Sequence, residues 1–280
     1  MAHPDDHWLA YDRMVTSGQL PFLKTRSSPI NTSLRLSRRY IGTGLAALAI
    51  TAALTGCNPT KAMNGTDFSQ TNQVDVQPGM VLRVDTPGVG VTLTAGGDSR
   101  VEVSATGNYS DKAPQVSATK AGDTATVTAG CSGSCDLQLH ITVPATMQVQ
   151  VKSGNSEIVA DGLGGKLDLR TGNGAITTRR TTGPLSLHSG NGQVKLTDSR
   201  SPQADVSTTA GAVDATFAAA PTSVNISTKS GAVDLSVPKG AGYSIDAHST
   251  GSTPEVDLPN DRNAAHSLTV ATANGGLHIH

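Results

Sequence analysis

A short phrase recurs along the second half of this chain: a small residue and a glycine, then an aliphatic residue that opens an alternating run. Successive aliphatic anchors are 18 to 23 residues apart, and they are Ile158, Ile176, Val194, Val213, Val233, Val256 and Leu277. A period of about 20 residues is typical of a protein built from stacked repeats. This period constrains the fold more than any other feature of the sequence.

Each repeat contains two alternating apolar runs. One run starts at the anchor, as in Val194-x-Leu196. The other comes about ten residues after an anchor, as in Leu185-x-Leu187, which follows the anchor Ile176. Alternation with a period of two places the aliphatic residues on one face of a β-strand. Gly, Asn, Pro and Asp stand between the runs, and these residues favour turns.

No repeat has room for a crossover helix beside its two strands, so equivalent strands of successive repeats should pair in parallel. The sequence therefore predicts an all-β, single-stranded β-solenoid or β-helix with coils of 18–23 residues. We expect its connections to be right-handed, as parallel crossovers nearly always are. A left-handed hexapeptide helix is excluded, because the sixth-residue series from Ile158 continues with Gly164 and Arg170.

Asparagines stand beside a glycine at the same turn of four repeats, and they are Asn155, Asn173, Asn191 and Asn274. Asparagine tolerates left-handed backbone angles and bonds to its own backbone, so turn chemistry is our preferred interpretation. Stacked on successive coils, these side chains should form a ladder. A ligand-binding polar stripe is the alternative interpretation.

The composition suits a narrow stack. Charged residues make up 15% of the chain and aromatic residues 3%, whereas charged residues alone are about a quarter of an average globular protein. A narrow solenoid has no wide interior for aromatic rings to fill. The formal net charge is −1 and the sequence has no basic stripe. The charge distribution therefore argues against binding to nucleic acid.

The amino-terminal region has the order of a bacterial lipoprotein signal. Arginines in the segment 35–39 precede an apolar stretch, 41–54, that is too short to span a bilayer. The stretch ends in Leu54-Thr55-Gly56-Cys57, which resembles a lipobox. We therefore expect residues 35–57 to be the signal peptide, with Cys57 lipidated and the protein anchored on the extracytoplasmic face of the cell membrane. The segment 37–41 is also similar to a twin-arginine signal.

Cys131 and Cys135 remain once Cys57 is assigned to the lipid. Outside the cytoplasm a disulfide is their expected state. A redox motif would have two residues between its cysteines and a helix beside it, but here the spacer is Ser132-Gly133-Ser134 and the flanks alternate like strands. We expect a structural staple of a hairpin.

The remaining segments differ in periodicity. Residues 1–34 are expected to be a disordered leader and residues 58–72, which are polar and aperiodic, a flexible tether. Residues 73–147 alternate but lack the glycine phrase, and we interpret them as an irregular β capping region, with a separate small β-sandwich as the alternative. Residues 148–280 are the regular repeats.

Aspartates recur at equivalent strand positions in two sets. Asp214, Asp234 and Asp257 each follow an anchor valine and should stack on the outer face, about 4.8 Å per coil. Such a column could hold cations or an acid–base pair, but solvated strand residues are the preferred interpretation. Asp168 and Asp205 repeat the pattern on the second strand, without a basic partner column.

The chain ends in His278-Ile279-His280, inside a strand without a cap. The two imidazoles share a face but lack a third ligand in the sequence, so we interpret them as exposed edge residues. No residue is assigned to catalysis, a cofactor or a metal.

A family resemblance follows from Leu139-His140-Ile141-Thr142-Val143-Pro144 and the repeated Ser/Thr-Gly-Asn-Gly-x-Ile/Val phrases after it. They resemble a bacterial domain-of-unknown-function family labelled "putative adhesin", similar to the head-GIN "putative autotransporter adhesins", over residues 74–280. The resemblance implies a β-helix-like fold on the cell envelope. It brings no catalytic residues to this chain.

These observations favour a non-enzymatic cell-envelope lipoprotein, an adhesin-like surface-binding or structural module whose partner is a surface protein or a glycan. A polysaccharide-acting β-helix enzyme and a regulatory partner of an envelope signalling system are the alternatives. Few aromatic residues follow Cys57, which argues against a stacked carbohydrate cleft; they are Phe68, Tyr109, Phe217 and Tyr243. We expect any contact surface in the longer turns, at 240–242 and 250–254.

Overall fold

The computed structural model describes residues 65–280. These residues form 21 β-strands and no helix, arranged in an 11-stranded and a 10-stranded sheet. The expected all-β solenoid is confirmed, while its handedness stays a prediction. The expected leader, signal peptide and lipidated Cys57 lie outside the described residues.

In chain order the strands are β1 (Thr66–Asp75), β2 (Val81–Thr86), β3 (Gly90–Ala95), β4 (Arg100–Tyr109), β5 (Gln115–Ala121), β6 (Thr124–Gly130), β7 (Cys135–Val143), β8 (Gln148–Ser153), β9 (Ile158–Asp161), β10 (Leu167–Thr171), β11 (Ile176–Arg179), β12 (Leu185–Ser189), β13 (Val194–Ser199), β14 (Gln203–Thr208), β15 (Val213–Phe217), β16 (Ser223–Thr228), β17 (Val233–Ser236), β18 (Tyr243–Ser249), β19 (Glu255–Val256), β20 (His266–Thr272) and β21 (Leu277–Ile279). Sheet A has the spatial order β1-β4-β7-β3-β9-β11-β13-β15-β17-β21-β19. Sheet B has the order β18-β20-β16-β14-β12-β10-β8-β2-β6-β5.

One coil of the stack consists of a sheet B strand, a turn and a sheet A strand. Neighbouring coils pair in parallel and in phase, so that Leu167 lies opposite Leu185 and Ile176 lies opposite Val194. The alternating aliphatic residues point inward and are almost fully buried between the two sheets. Each buried Leu, Ile or Val contributes about 1.5–3 kcal/mol, and this apolar interior is the main source of stability.

The turn from sheet B to sheet A brings successive coils unusually close together. A Cβ atom added at Gly192 would overlap the carbonyl oxygen of Gly174, and one at Gly211 would overlap that of Gly192. Among the described residues, the glycines with positive φ are outside the repeated phrase, at 65, 79, 97, 122, 162 and 240. The glycines of the phrase are therefore needed for close approach between coils rather than for left-handed backbone angles.

A column of buried hydroxyls follows the same turn, five residues before six of the seven anchors. Ser189 Oγ donates to Gly174 O of the preceding coil at 2.9 Å and accepts from Gly192 N at 2.9 Å. Thr208 makes the same pair of contacts with Gly192 O and Gly211 N. The members of this hydroxyl column are Ser153, Thr171, Ser189, Thr208, Thr228 and Thr272. Ser153 accepts an amide hydrogen within its own turn, and each of the other hydroxyls donates to a carbonyl of the neighbouring coil. In the terminal strands the half-buried Ser249, seven residues before Val256, donates to Gly275 O.

The asparagine ladder is present in part. Asn173 donates from Nδ2 to Asn155 Oδ1, and Asn191 donates in the same way to Asn173. None of these residues has a positive φ, so the expectation of left-handed backbone angles was wrong. Asn274 stands apart, because the intervening coils carry Ala210 and Ser230 at that position.

Both ends of the stack depart from sequence order. At one end the coil β2–β3 lies between β6–β7 and β8–β9, and antiparallel β1, β4 and β5 complete the sheets. At the other end the last coil, β20–β21, is inserted between β16–β17 and β18–β19. We call β20–β21 the inserted coil and β18–β19 the terminal coil.

The structure differs from the expected segments in three places. Residues 66–72, expected within the tether, form most of β1 and pair with β4. Strands β2 and β3, expected in the irregular cap, belong to the regular parallel stack because they pair in parallel with β8 and β9. The carboxyl-terminal strand β21 does not end at an open edge, since β19 covers it.

Replacing Gly192 with alanine should lower the free energy of unfolding by about 1–3 kcal/mol, because the new methyl group overlaps a backbone carbonyl that cannot move without separating two coils. Urea denaturation measures the change. Gly88→Ala is the matched control, since a Cβ at this turn meets nothing within 4 Å; we expect a change of less than about 0.5 kcal/mol. Equal effects at the two positions would contradict the close-approach explanation.

Replacing Ser189 with alanine should lower the free energy of unfolding by about 1–3 kcal/mol, because it leaves the part-buried amide of Gly192 without its acceptor and removes the donor to Gly174 O. Ser189→Thr should keep most of the stability, since the neighbouring coils carry Thr171 and Thr208 at this position. The half-exposed Ser186 on the same strand serves as the control for Ser→Ala. Thermal and urea unfolding that failed to separate Ser189→Ala from Ser186→Ala would exclude a structural role for the hydroxyl.

Candidate functional site

The strand insertion at the carboxyl-terminal end of sheet A gathers five polar side chains. On the outer face, β21 places His278 opposite Asp234 of β17 and opposite Glu255 of β19. His280 follows on the same face of β21, and Asp257 follows β19. We call these five residues the His–Asp cluster. Their backbones are held by the sheet, since Asp257 N donates to Ile279 O at 2.8 Å.

The two imidazoles converge on one carboxylate. His278 Nδ1 lies 3.5 Å from Asp234 Oδ2, and His280 Nε2 lies 3.2 Å from Asp234 Oδ1. The other nitrogen of His278, Nε2, donates to Asp257 Oδ2 at 3.3 Å. The two rings stack with centroids 4.5 Å apart and planes 18° apart. Asp234 is therefore shared between both histidines, while Asp257 fixes the orientation of one of them.

The cluster changes the acidity of His278. Its pKa is raised above the usual histidine value, first by the hydrogen bond to Asp257 and then by the negative charges of Glu255, Asp257 and Asp234. Partial desolvation acts in the opposite direction but is weaker than the hydrogen bond. The cluster is thus a locally negative environment that favours a cation.

Two overlapping sets of residues in this cluster could hold a metal ion. In each set, one ligand atom per residue lies within 4.8 Å of the others: Asp234, His278 and His280 form the first set, and Glu255, Asp257 and His278 the second. The expectation that the two histidines lie at an exposed edge was wrong, because β19 covers β21. The sequence offered no third ligand beside them, but the fold places Asp234 there. Asp234 is far away in the sequence, and only the inserted position of β21 brings it to them.

The predicted aspartate column is broken at this point. Asp214 and Asp234 do lie opposite each other on β15 and β17, as expected. The next position outward belongs to His278, however, and Asp214 is also paired with Lys195 at 3.3 Å. Asp257 therefore reaches Asp234 only through the imidazole of His278. An acid–base pair of neighbouring carboxylates is not formed by Asp234 and Asp257.

The sheet B aspartates lie apart from one another. Asp168 and Asp205 are separated by the coil that carries Ser186. Asp168 is paired with a residue of its own strand, since Arg170 Nε donates to its Oδ1 at 2.9 Å. Asp205 accepts from Asn225 Nδ2 at 3.3 Å. These side chains make ordinary surface contacts on the outer face.

The two cysteines are joined at a corner of the stack. A disulfide links Cys131 and Cys135, with their Cα atoms 6.2 Å apart. It connects the end of β6 in sheet B to the start of β7 in sheet A. The expected hairpin is therefore wrong, because the two flanking strands belong to different sheets and the link closes a coil.

The aromatic residues of the described region pack within the scaffold. Tyr243 is buried and its hydroxyl donates to Pro238 O at 3.0 Å, and Phe217 is also buried. Phe68 and Tyr109 contact each other edge to face across β1 and β4. Within residues 65–280, no helix is long and apolar enough to cross a membrane.

Comparison with solved structures returns proteins of low sequence identity. A "putative cell adhesion protein" from Clostridium sporogenes is 12% identical with a TM-score of 0.37, and the match covers 76% of this chain and 99% of that one. A "putative adhesin" from Bacteroides fragilis is 13% identical with a TM-score of 0.45, covering 76% and 97%. A "putative adhesin" from Parabacteroides merdae is 14% identical with a TM-score of 0.40, covering 77% and 97%.

No curated protein matches the chain significantly. The profile of one family does match, and that family is described as Toastrack DUF4097. The match runs from residue 131 to residue 279, so it includes the disulfide, the coils from β8 onward and all of the His–Asp cluster except His280. Because this match spans more than half of the sequence, the chain belongs to the DUF4097 Toastrack family.

Proposed function

We propose that this protein is a non-enzymatic lipoprotein of the cell envelope that holds an adhesin-like β-stack on the outer side of the membrane, where it binds a surface protein or a glycan. The observation that carries the proposal is the short distance in sequence between the lipobox cysteine, Cys57, and Thr66, where β1 begins. The stack starts almost immediately after the proposed anchor.

The order of the strands supports a defined orientation on the membrane. Strand β1 lies at one edge of the 11-stranded sheet A, and β19 lies at the opposite edge. With about 4.8 Å between strands, the two edges are about 48 Å apart. Nine residues from Cys57 to Thr66 can extend no more than about 30 Å. A lipid on Cys57 would therefore keep the β1 edge within about 30 Å of the membrane and leave the terminal coil at the untethered end of the stack.

The outward surface suits contact with a macromolecule. The inner faces of the regular strands are apolar, whereas outward positions are polar and partly exposed, as at Thr177, Lys195 and Asp214. A specific interface needs about 800 Å² on each partner, and a rigid, flat sheet face offers such an area without any cavity. The longer turns at 240–242 and 250–254 border the strands of the terminal coil, at the end of the stack opposite β1.

Replacing Cys57 with serine in the full chain should move the protein from the membrane fraction to the soluble extracytoplasmic fraction, because the thiol that accepts the lipid is lost. Incorporation of a fatty-acid analogue followed by fractionation measures this change. The Cys131→Ser/Cys135→Ser double variant is the matched control and should remain lipidated. Equal membrane retention of wild type and Cys57→Ser would refute the lipid anchor.

The binding role is tested on cells that produce the wild-type chain or Cys57→Ser. We expect cells with the anchored protein to adhere to at least one member of a panel of immobilised envelope proteins and polysaccharides, and cells with Cys57→Ser to lose that adhesion. Release of sugar fragments from the same polysaccharides should stay at background. Release of sugar fragments by the purified protein would instead establish the polysaccharide-acting enzyme. Equal adhesion of cells with the wild-type chain and cells with Cys57→Ser would argue for the regulatory alternative.

A further inference from the structure

The His–Asp cluster has the donor atoms and the backbone support of a metal site. His280 N donates to Leu235 O at 3.0 Å, and Val237 N donates to His280 O at 3.0 Å. These ladder bonds fix the carboxyl-terminal histidine against β17, the strand that carries Asp234. The donor atoms therefore lie on paired strands, which hold them more firmly than a mobile terminus would.

The spacing of the donors fits a small cation. Zinc binds histidine nitrogen and carboxylate oxygen at about 2.0–2.2 Å in a tetrahedral arrangement, which separates the donors by about 3.3–3.6 Å. The two nitrogen-to-oxygen distances at Asp234 are 3.5 Å from His278 Nδ1 and 3.2 Å from His280 Nε2. These two distances run to different oxygens of the carboxylate, Oδ2 for His278 and Oδ1 for His280. One ligand atom of each of the three residues lies within 4.8 Å of the other two, which is close enough for one ion to be shared.

The hydrogen bond between His278 and Asp257 is of the kind that supports a metal ligand. His278 presents Nδ1 toward Asp234 while its Nε2 donates to Asp257. Metal-binding histidines usually donate their other ring nitrogen to a carboxylate or a carbonyl, because this fixes the tautomer and makes the ligand nitrogen more basic. Asp257 has that position here, outside the Asp234–His278–His280 set.

We propose that Asp234, His278 and His280 bind a divalent transition-metal ion of the zinc class, with Asp257 orienting His278. Imidazole donors favour zinc, copper or nickel over magnesium or calcium, which prefer oxygen ligands only. The imidazoles are about one-third exposed, at 34% and 35% of their full surface, so water can reach the remaining coordination position. The proposal does not depend on the adhesin-like function.

The ion would fasten the place where the strand order changes. Asp234 lies on β17, the histidines on the inserted coil and Asp257 beside the terminal coil. A ligand that binds only the folded state stabilises it by mass action, in proportion to the logarithm of its concentration. Metal binding would therefore hold the inserted and terminal coils against the regular stack.

Zinc chloride is the probe for this site, added to the full chain after chelation and without a histidine tag. Titration calorimetry should show saturable binding of one ion per chain, and circular dichroism should show a rise in Tm with zinc but not with magnesium. The His278→Gln/His280→Gln double variant should lose both effects, and Asp234→Asn should weaken binding at least tenfold. Asp257→Asn should weaken it by about 10–100-fold, as expected for the partner of a ligand.

Matched controls come from the same sheet. Asp214→Asn removes a carboxylate one coil away, and His140→Gln removes an exposed imidazole on β7, so both should leave zinc binding unchanged. Cobalt provides a readout that does not depend on stability, since a tetrahedral site gives visible absorption bands that the double variant should lack. Absence of saturable zinc binding, or binding that persists in the folded double variant, would overturn the proposal.

Discussion

The stack depends on one close contact, where the turn of each coil rests on the carbonyl oxygen of the coil before it. A side chain at Gly174, Gly192 or Gly211 would occupy the place of that oxygen. The hydroxyls of Ser189 and Thr208 bridge the same contact by accepting an amide hydrogen of their own coil and donating to the neighbouring carbonyl. Once this contact sets the spacing, in-phase pairing places each aliphatic residue on its counterpart. A shift by one residue would turn the aliphatic side chains outward.

The period of the aliphatic anchors was sufficient to predict the parallel stack, because burial strongly specifies which face a strand turns inward. The hydroxyl column was missed because the repeated phrase contains two different glycines. In the early copies the first glycine, such as Gly172, directly follows the hydroxyl residue. In the later copies only the second glycine is present, and Gly211, for example, lies two residues before its anchor. Counting back from the anchors Ile176 and Val213 finds Thr171 and Thr208 at the same position. Asparagine suggested left-handed turns, but close packing of coils, a non-local constraint, determines these turns.

The His–Asp cluster was beyond prediction from the sequence because it depends on which of two similar strands lies inside. Both β18 and β20 alternate, and both follow the regular repeats. The inward residues of β20, Leu268 and Val270, are fully buried, and β21 adds the buried Leu277 and Ile279. The terminal coil offers one buried ring, Tyr243, but otherwise the half-buried Ile245 and Ala247 and the exposed Val256. Placing the more apolar coil inside buries more surface, and the more polar coil then covers the end of the stack. That choice brings β21 beside β17, and with it His278 beside Asp234.

The inversion requires strands to pair over a longer stretch of chain, but the cost is small. Val233 pairs with Leu277, 44 residues away, whereas the preceding pair, Val213 and Val233, is separated by 20 residues. Doubling the length of a loop costs only about 0.6 kcal/mol. Burying a single leucine contributes about 1.5–3 kcal/mol, so one additional buried residue in the inserted coil offsets the longer closure. Because β18 precedes β20 in the chain yet lies outside it, the terminal coil has a partner in sheet B only where β20 is present. The His–Asp cluster depends on the same arrangement, since its members come from β17, from the inserted coil and its end, and from β19 and the residue after it.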